Sequence, residues 1–292
     1  MSPGSVLRVA VAQIPTVLGD FDANLDLHLR YIERARRADV DCLLFPELSL
    51  TGHSAGPETL ELARHRDDPA IAELAAASGP MCTLFGLIEE GPAAQFYNAV
   101  FAVKDSELAF LHRKVNLATY GRLDDAKHFA TGRYVETFVL DSFWRAGVLI
   151  CNDVFNPALV HLAATQGATV LFVPSSSALE AVGAAFDNPG GWDLSCRFYA
   201  SMYGFPVIFA NRVGDENDLH FWGGSRIVGP NGKALAFLET AEDLLVASID
   251  QDSVRQARIL LPTVRDSNLS LITREMNRLQ SILGIPESVR QL

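Results

Sequence analysis

Three residues of this chain, each placed just after an apolar run, have side chains suited to bond-making chemistry. Cys151 ends the run Trp144–Ile150 and is followed by Asn152 and Asp153, with Pro157 opening a helix-like stretch. A short continuous apolar run reads as a buried strand, and proline favours the first turn of a helix. The thiol therefore falls at the carboxyl end of a strand, where open α/β sheets place their ligands. A lone cysteine is more commonly a small buried hydrophobe, so Cys151 by itself decides nothing. Glu47 closes a second apolar run, Cys42-Leu43-Leu44-Phe45-Pro46. A carboxylate there is either solvated at the strand tip or held with a raised pKa for acid–base work. Lys114 follows the strand-like Glu107–Leu111 and precedes the turn Tyr120-Gly121; alone it reads as a surface lysine.

The combination and order of these segments carry more. Phe45-Pro46-Glu47-Leu48, then Arg113-Lys114-Val115 with Thr119-Tyr120-Gly121, then Val148-Leu149-Ile150-Cys151-Asn152-Asp153, resemble the motifs of the nitrilase superfamily of carbon–nitrogen hydrolases. The resemblance runs from Val9-Ala10-Val11-Ala12-Gln13 through Gly167–Ser175 and Ala210–Gly214 to Phe221–Pro230. It implies a Glu–Lys–Cys triad at Glu47, Lys114 and Cys151. A free thiol is mostly protonated at neutral pH and needs a base or a cation beside it to attack. In the implied mechanism Glu47 takes the thiol proton, and Lys114 with the backbone N–H of Asn152 meets the oxyanion. Tyr120, Phe155, Ser175 and Ser176 are expected around the acyl group, the serines as loop hydroxyls facing a polar substrate.

Two departures bear on the substrate. Relatives often carry a second acidic residue in a Phe-(Asp/Asn)-Glu pattern, where this chain has Leu123-Asp124-Asp125. Asp125 is one methylene shorter than Glu, so it is expected to support Lys114 with reduced reach. Asn152 stands where many relatives place an acidic or aromatic residue. The expected reaction is hydrolysis of a small amide to acid and ammonia through a thioester, without a cofactor. N-carbamoyl amide or nitrile substrates with the same triad are the alternatives, and a binding protein that has lost catalysis is a further one.

The elements that must position these residues alternate early and become strand-rich later. Strands are expected at Leu7–Ile14, Asp41–Phe45, Met81–Ile88, Tyr97–Val103, Glu107–Leu111, Trp144–Cys151, Thr169–Val173, Pro206–Asn211 and Leu244–Ile249. Helices are expected from a cap at Asp22 to Arg37, around Ala70–Ala77, and at Pro157–Gln166 and Trp192–Tyr203. Asn231-Gly232 turns a hairpin between Ser225–Val228 and Ala234–Leu238, because Asn-Gly supplies the positive φ a tight turn needs. Alternating βα units with added hairpins imply two mixed sheets face to face under helices. The resemblance fixes this α/β pattern as a four-layer αββα sandwich, one hydrolase domain over residues 1–292.

Composition excludes several partners. The 24 basic and 35 acidic residues leave a net charge of −11, which argues against nucleic acid and anionic membranes. Neither a basic, apolar leader nor a bilayer-length apolar run is present, which implies a soluble cytoplasmic protein. The cysteines at 42, 82, 151 and 196 form no C-x-x-C pair; Cys42, Cys82 and Cys196 read as core packing rather than disulfide or zinc ligands. His112 and His128 bracket Lys114 and make a Cys–His dyad conceivable, but neither lies in a motif, and both read as partly exposed. Near the carboxyl terminus Leu269, Ile272, Met276, Leu279 and Leu283 repeat at helical spacing, with Gly284 and Pro286 as a stop. Such a stripe more commonly packs on its own subunit, but Leu271 and Ile282 widen it, so residues 267–292 are expected to contribute to the interface of a homodimer or higher homo-oligomer.

Overall fold

The computed structural model describes residues 5–183 and 185–283. Its first half is β1 (Val6–Gln13), α1 (Phe21–Arg37), β2 (Cys42–Leu44), α2 (Thr59–Leu62), α3 (Pro69–Ser78), β3 (Cys82–Gly91), β4 (Gln95–Lys104) and β5 (Glu107–Arg113). The second half opens with α4 (Asp125–His128), β6 (Thr137–Val139), β7 (Arg145–Val148), a 3-10 turn (Cys151–Phe155), α5 (Pro157–Thr165), β8 (Val170–Ser175), α6 (Asn188–Tyr203) and β9 (Val207–Asn211). The chain continues through β10 (Val213–Glu216), β11 (Leu219–Trp222), β12 (Arg226–Val228), β13 (Ala234–Phe237), β14 (Asp243–Asp250), α7 (Gln251–Leu260) and α8 (Leu269–Ile282).

Two six-stranded sheets result, ordered β14-β1-β2-β3-β4-β5 and β13-β12-β9-β8-β7-β6. Each has a parallel centre, β1-β2-β3 in one and β7-β8-β9 in the other, with antiparallel strands outside it. Strand period decides which side chain enters which layer. In β1, Val9 and Val11 face the second sheet, joining Leu171, Phe172 and Phe209 in one core. Their neighbours Ala10 and Ala12 face the other way, into a core shared with Tyr31 and Ile32 of α1 and Leu74 of α3. On the far side, Val160 of α5 and Trp192 and Cys196 of α6 cover the second sheet. The layers are thus helix, sheet, sheet, helix, the four-layer αββα sandwich expected.

Local differences have local causes. The cap of α1 is Asp20, whose carboxylate accepts the N–H of Ala23 at 3.0 Å, while Asp22 sits inside the first turn. The buried face of α1 includes Asn24, His28, Tyr31, Ile32 and Ala35, with Leu25 and Leu29 at its flank. The strand before the thiol stops at Val148 rather than reaching Cys151, because the 3-10 turn begins there. Three elements lacked a clear hydrophobic signal: the short β6, the β10–β11 hairpin, and α7, which buries only Val254. The carboxyl-terminal helix forms at Leu269–Ile282, capped by Asn268; the expected stop at Gly284 and Pro286 lies outside the described residues.

Candidate functional site

Glu47, Lys114 and Cys151 come together beyond the carboxyl ends of the inner strand β2 and the edge strand β5 of one sheet and of β7 in the other. Glu47 leaves β2 through Pro46, and the next residue, Leu48, has φ 49°. That bend presses against β3, where a Cβ on Gly86 would lie 2.3 Å from the Leu48 nitrogen, so only glycine fits. Lys114 follows β5 directly, its N–H bonded to the Asn98 carbonyl at 2.9 Å. Cys151 opens the 3-10 turn with φ 45°, a conformation that non-glycine residues adopt mainly where the surroundings enforce it. Cys151 is the least buried of the four cysteines, the residue being 9% exposed, whereas Cys42, Cys82 and Cys196 are closed into the core as expected.

Lys114 is buried between two carboxylates, with Nζ 2.7 Å from Glu47 Oε1 and 2.7 Å from Asp125 Oδ2. Burial opposes its charge, but Glu47 and Asp125 outweigh that penalty and hold the ammonium well above its ordinary pKa. Asp125 is also buried, yet Lys114 and the Ala118 N–H at 3.1 Å keep its carboxyl below the usual range. The expected shortfall in reach is therefore corrected. Asp125 starts α4, and the backbone there brings the shorter side chain into direct contact with the lysine.

Glu47 is fixed from three sides. Asn98 Nδ2 donates to Oε1 at 2.8 Å, as Lys114 does, and the Ser176 N–H donates to Oε2 at 2.8 Å. The Ser176 hydroxyl donates to the Glu47 carbonyl at 2.7 Å, so this serine braces the carboxylate rather than facing a substrate. Ser175 is buried at the end of β8. Ser177 accepts from Asn188 and Trp192, and Asn211 holds both its N–H and its carbonyl. Ser176 and Ser177 are thus engaged in the scaffold, while the Ser175 hydroxyl is buried without a hydrogen-bond partner.

The thiol itself is disfavoured as an anion. Burial, then the Glu47 carboxylate, push its pKa far up, and Lys114 only partly offsets them. Asn152 next to it has its side chain tied down: Tyr120 Oη donates to Oδ1 at 2.8 Å, and Nδ2 donates to the Asn116 carbonyl at 3.0 Å. Phe155 stacks 4.6 Å from Trp192, joining the turn to α6.

Asp153 is fully buried, and sequence reasoning gave it no role. One oxygen accepts the N–H groups of Val115 and Asn116 at 3.0 and 2.6 Å, the other that of Ile150 at 3.0 Å and His112 Nε2 at 3.1 Å. A single carboxylate thus ties the segment after Lys114 to the turn that presents Cys151. His112 is accordingly buried and committed to Asp153, not partly exposed or free to act as a base for the thiol. Three of the Asp153 partners lie 37 to 41 residues back along the chain, so nothing in the sequence alone signalled its role. Asn98 and His53 were missed likewise, whereas Asn211 lay in the Ala210–Gly214 segment of the resemblance but was given no role.

A cavity of about 200 Å³, lined by His53, Ser54, Arg122, Asp125, His128 and Phe129 among others, opens beside Asp125. Glu216, paired with buried Arg212 at 2.6 Å, accepts the N–H groups of His53 and Ser54 and so shapes that wall. This cavity reaches the cluster only through Asp125, and cavities of about 430 and 500 Å³ elsewhere do not touch Glu47, Lys114, Asp125 or Cys151. Among the described residues no helix is long and apolar enough to cross a membrane.

Comparison with known proteins agrees with the fold. A family model described as carbon-nitrogen hydrolase matches residues 8–259. The chain is 30% identical over 260 residues to a hydrolase from the pqqF 5' region of Pseudomonas protegens, covering 87% of this chain and 86% of that one. It is 28% identical over 262 residues to glutamine-dependent NAD(+) synthetase of Thermotoga maritima, where it covers 87% of itself but spans only 44% of that relative's length. Among solved structures, carbon-nitrogen hydrolase from Helicobacter pylori superposes with a TM-score of 0.84 at 22% identity, covering 93% and 99% of the two chains. An amidase from Nesterenkonia sp. gives 0.75 at 26% identity, covering 88% and 95%.

Proposed function

Because the chain belongs to the carbon–nitrogen hydrolase family, we propose that it hydrolyses a small non-peptide amide to its carboxylic acid and ammonia through a thioester on Cys151. The observation that carries this reading is the buried Lys114, bonded to Glu47 and Asp125 beside a thiol whose ionisation the site opposes. A thiol kept neutral cannot wait as a thiolate, so its proton must leave as it attacks. Glu47 is the base in position to take it.

In the first half-reaction the Sγ–H proton passes to Glu47 as sulfur bonds to the amide carbon, and the carbonyl π pair moves onto oxygen. Lys114 has three N–H donors, of which two are engaged by carboxylates. The third is free for the oxyanion, joined by the backbone N–H of Asn152; each such donor contributes roughly 3 kcal/mol of transition-state stabilisation. Collapse breaks the C–N bond, the departing nitrogen takes the proton from Glu47, and ammonia leaves a thioester. Water then attacks, giving its proton to Glu47. The C–S bond breaks, sulfur recovers that proton, and the acid is released. Asp125 holds Lys114 in place throughout, and Tyr120 fixes Asn152. As part of the same proposal the enzyme works as a homodimer, with the apolar face of α8 at its interface.

The test is a screen of ω-amides, N-carbamoyl amino acids and nitriles, read by ammonia release and by intact mass of the protein. Turnover of an amide with an acyl adduct mapped to Cys151 is the expected result. Turnover confined to carbamoyl compounds or nitriles would replace the substrate assignment and leave the triad standing. An adduct on Cys42, Cys82 or Cys196, with Cys151 unmodified, would overturn the mechanism.

A further inference from the structure

Strand β5 and the segment 131–136 wall a separate cavity of about 500 Å³ at the edge of the first sheet. Its lining includes Arg66, Arg113 and Arg133 but only one carboxylate, Glu136, with Tyr97 and Tyr134 beside them. In a chain of net charge −11, the three guanidiniums here face only Glu136 and the buried Glu89, a local excess of positive charge that a concave low-dielectric wall focuses.

The arginines are organised to different degrees. Arg113 is held rigidly: Nε and Nη2 donate to Glu89 at 2.6 and 2.8 Å, and its guanidinium stacks 3.9 Å from the Tyr97 ring centroid. Gly91 leaves room for that stack, since a Cβ there would lie 2.7 Å from both side chains. Arg66 reaches the same Glu89 at 3.5 Å. One buried carboxylate therefore serves two guanidiniums, and among the described residues no carboxylate pairs with Arg133. Planar guanidinium forks match the paired oxygens of a carboxylate or a phosphate.

We propose that this cavity is a second ligand site, selective for a small organic or inorganic anion presenting carboxylate or phosphate oxygens, and distinct from the amide-hydrolysing cleft. None of its lining residues belongs to the Glu47–Lys114–Cys151 cluster. It nevertheless abuts the segments that carry the lysine. Arg113 precedes Lys114, the Gly132 N–H donates to the Lys114 carbonyl at 2.8 Å, and His112 in the cavity wall is bonded to Asp153.

Isothermal titration of the full chain with citrate and with inorganic phosphate tests the proposal and separates the two anion types. Binding of at least one probe is expected below about 1 mM, unchanged when Cys151 has first been alkylated with iodoacetamide to fill the cleft. Arg133→Ala and Arg66→Ala should each weaken it by about tenfold or more, the loss expected of one charge-assisted pair. Arg265→Ala, at an exposed arginine outside the cavity, should leave it unaltered. Absence of binding by either probe at about 10 mM, its loss on alkylation, or indifference to both cavity variants would each overturn the assignment.

Discussion

A lysine buried between two carboxylates is stable only as a set, and that sets what each substitution in the site does. Removing one member of a buried ion pair costs several kcal/mol because the partner is left charged and unpaired. Glu47→Gln keeps an oxygen for Lys114 Nζ and Asn98 Nδ2 while Asp125 still balances the charge, at the cost of turning its NH₂ toward the Ser176 N–H, one lost hydrogen bond of about 1 kcal/mol. This variant should fold with little loss of thermal stability, yet lose about 10²–10⁴ in kcat through removal of the general base. Near-wild-type kcat would rule Glu47 out as that base. Lys114→Ala is a different case, since it leaves two buried carboxylates facing each other. Its loss of activity should come with a clear drop in melting temperature, and Asp125→Asn should be milder in kcat than either. The four thiols offer an independent check: Cys151 should alkylate fastest, because the other three are closed into the core. Faster labelling of any of those three would remove the basis for assigning the nucleophile. Glu47, Lys114 and Cys151 were legible because each follows an apolar run in a recognisable motif. The contact between Asp125 and Lys114 was not, since it depends on where α4 begins rather than on side-chain length.

At the level of elements, two tethers keep the reacting loops in register. Asp153 accepts four donors from β5, the Lys114 segment and the strand before Cys151. Asn would return only one acceptor oxygen and point an NH₂ at N–H groups. Asp153→Asn should lower kcat by about 10–100-fold and slow alkylation of Cys151, with KM nearly unchanged, as small misplacements of reacting groups do. Unchanged kcat and labelling in a folded variant would reduce Asp153 to a structural role. The second tether is His28 of α1, fully buried, bonded to the Asn24 carbonyl at 2.7 Å and to Ser49 Oγ at 2.9 Å. Burial lowers its pKa from 6.5 to about 4. The fold therefore keeps it neutral while the unfolded chain gains a proton between those values. Its contribution is fully present above pH 6.5, is lost as pH falls toward 4, and amounts to about 3 kcal/mol. Urea unfolding at both ends of that window should show a steeper loss for the wild type than for His28→Gln; parallel losses would refute the assignment. Neither tether was visible in the sequence. The continuous apolar runs of β1, β3 and β4 announce themselves, whereas a buried histidine or aspartate is recognised only by partners distant along the chain.

For the whole molecule the unresolved economy is apolar surface. Among the described residues the helix α8 buries none of its side chains: Leu269 is 48% exposed and Met276 55%, with Leu283 at its end 71%, along the stripe read from the sequence. Leu194 and Phe198 of α6 and Ile259 and Leu260 of α7 are also exposed. Contiguous apolar patches beyond a few hundred Å² are uncommon on monomers and mark contact surfaces. An amphipathic helix draws most of its stability from packing that face, so a 14-residue helix with nothing to cover it would be marginal in water. A second copy of the same chain is the simplest cover, because closed two-fold pairs are the commonest assembly and a self-complementary apolar face suits them. Light scattering at micromolar concentration should therefore give about twice 31.8 kDa. Deleting residues 267–292 should weaken the pair, and Met276→Glu, which puts a charge on the stripe without removing the helix, should do so too. A stable monomer of 31.8 kDa would sink the dimer itself. A dimer indifferent to both changes would place its interface on α6 and α7 and leave α8 without a part in it.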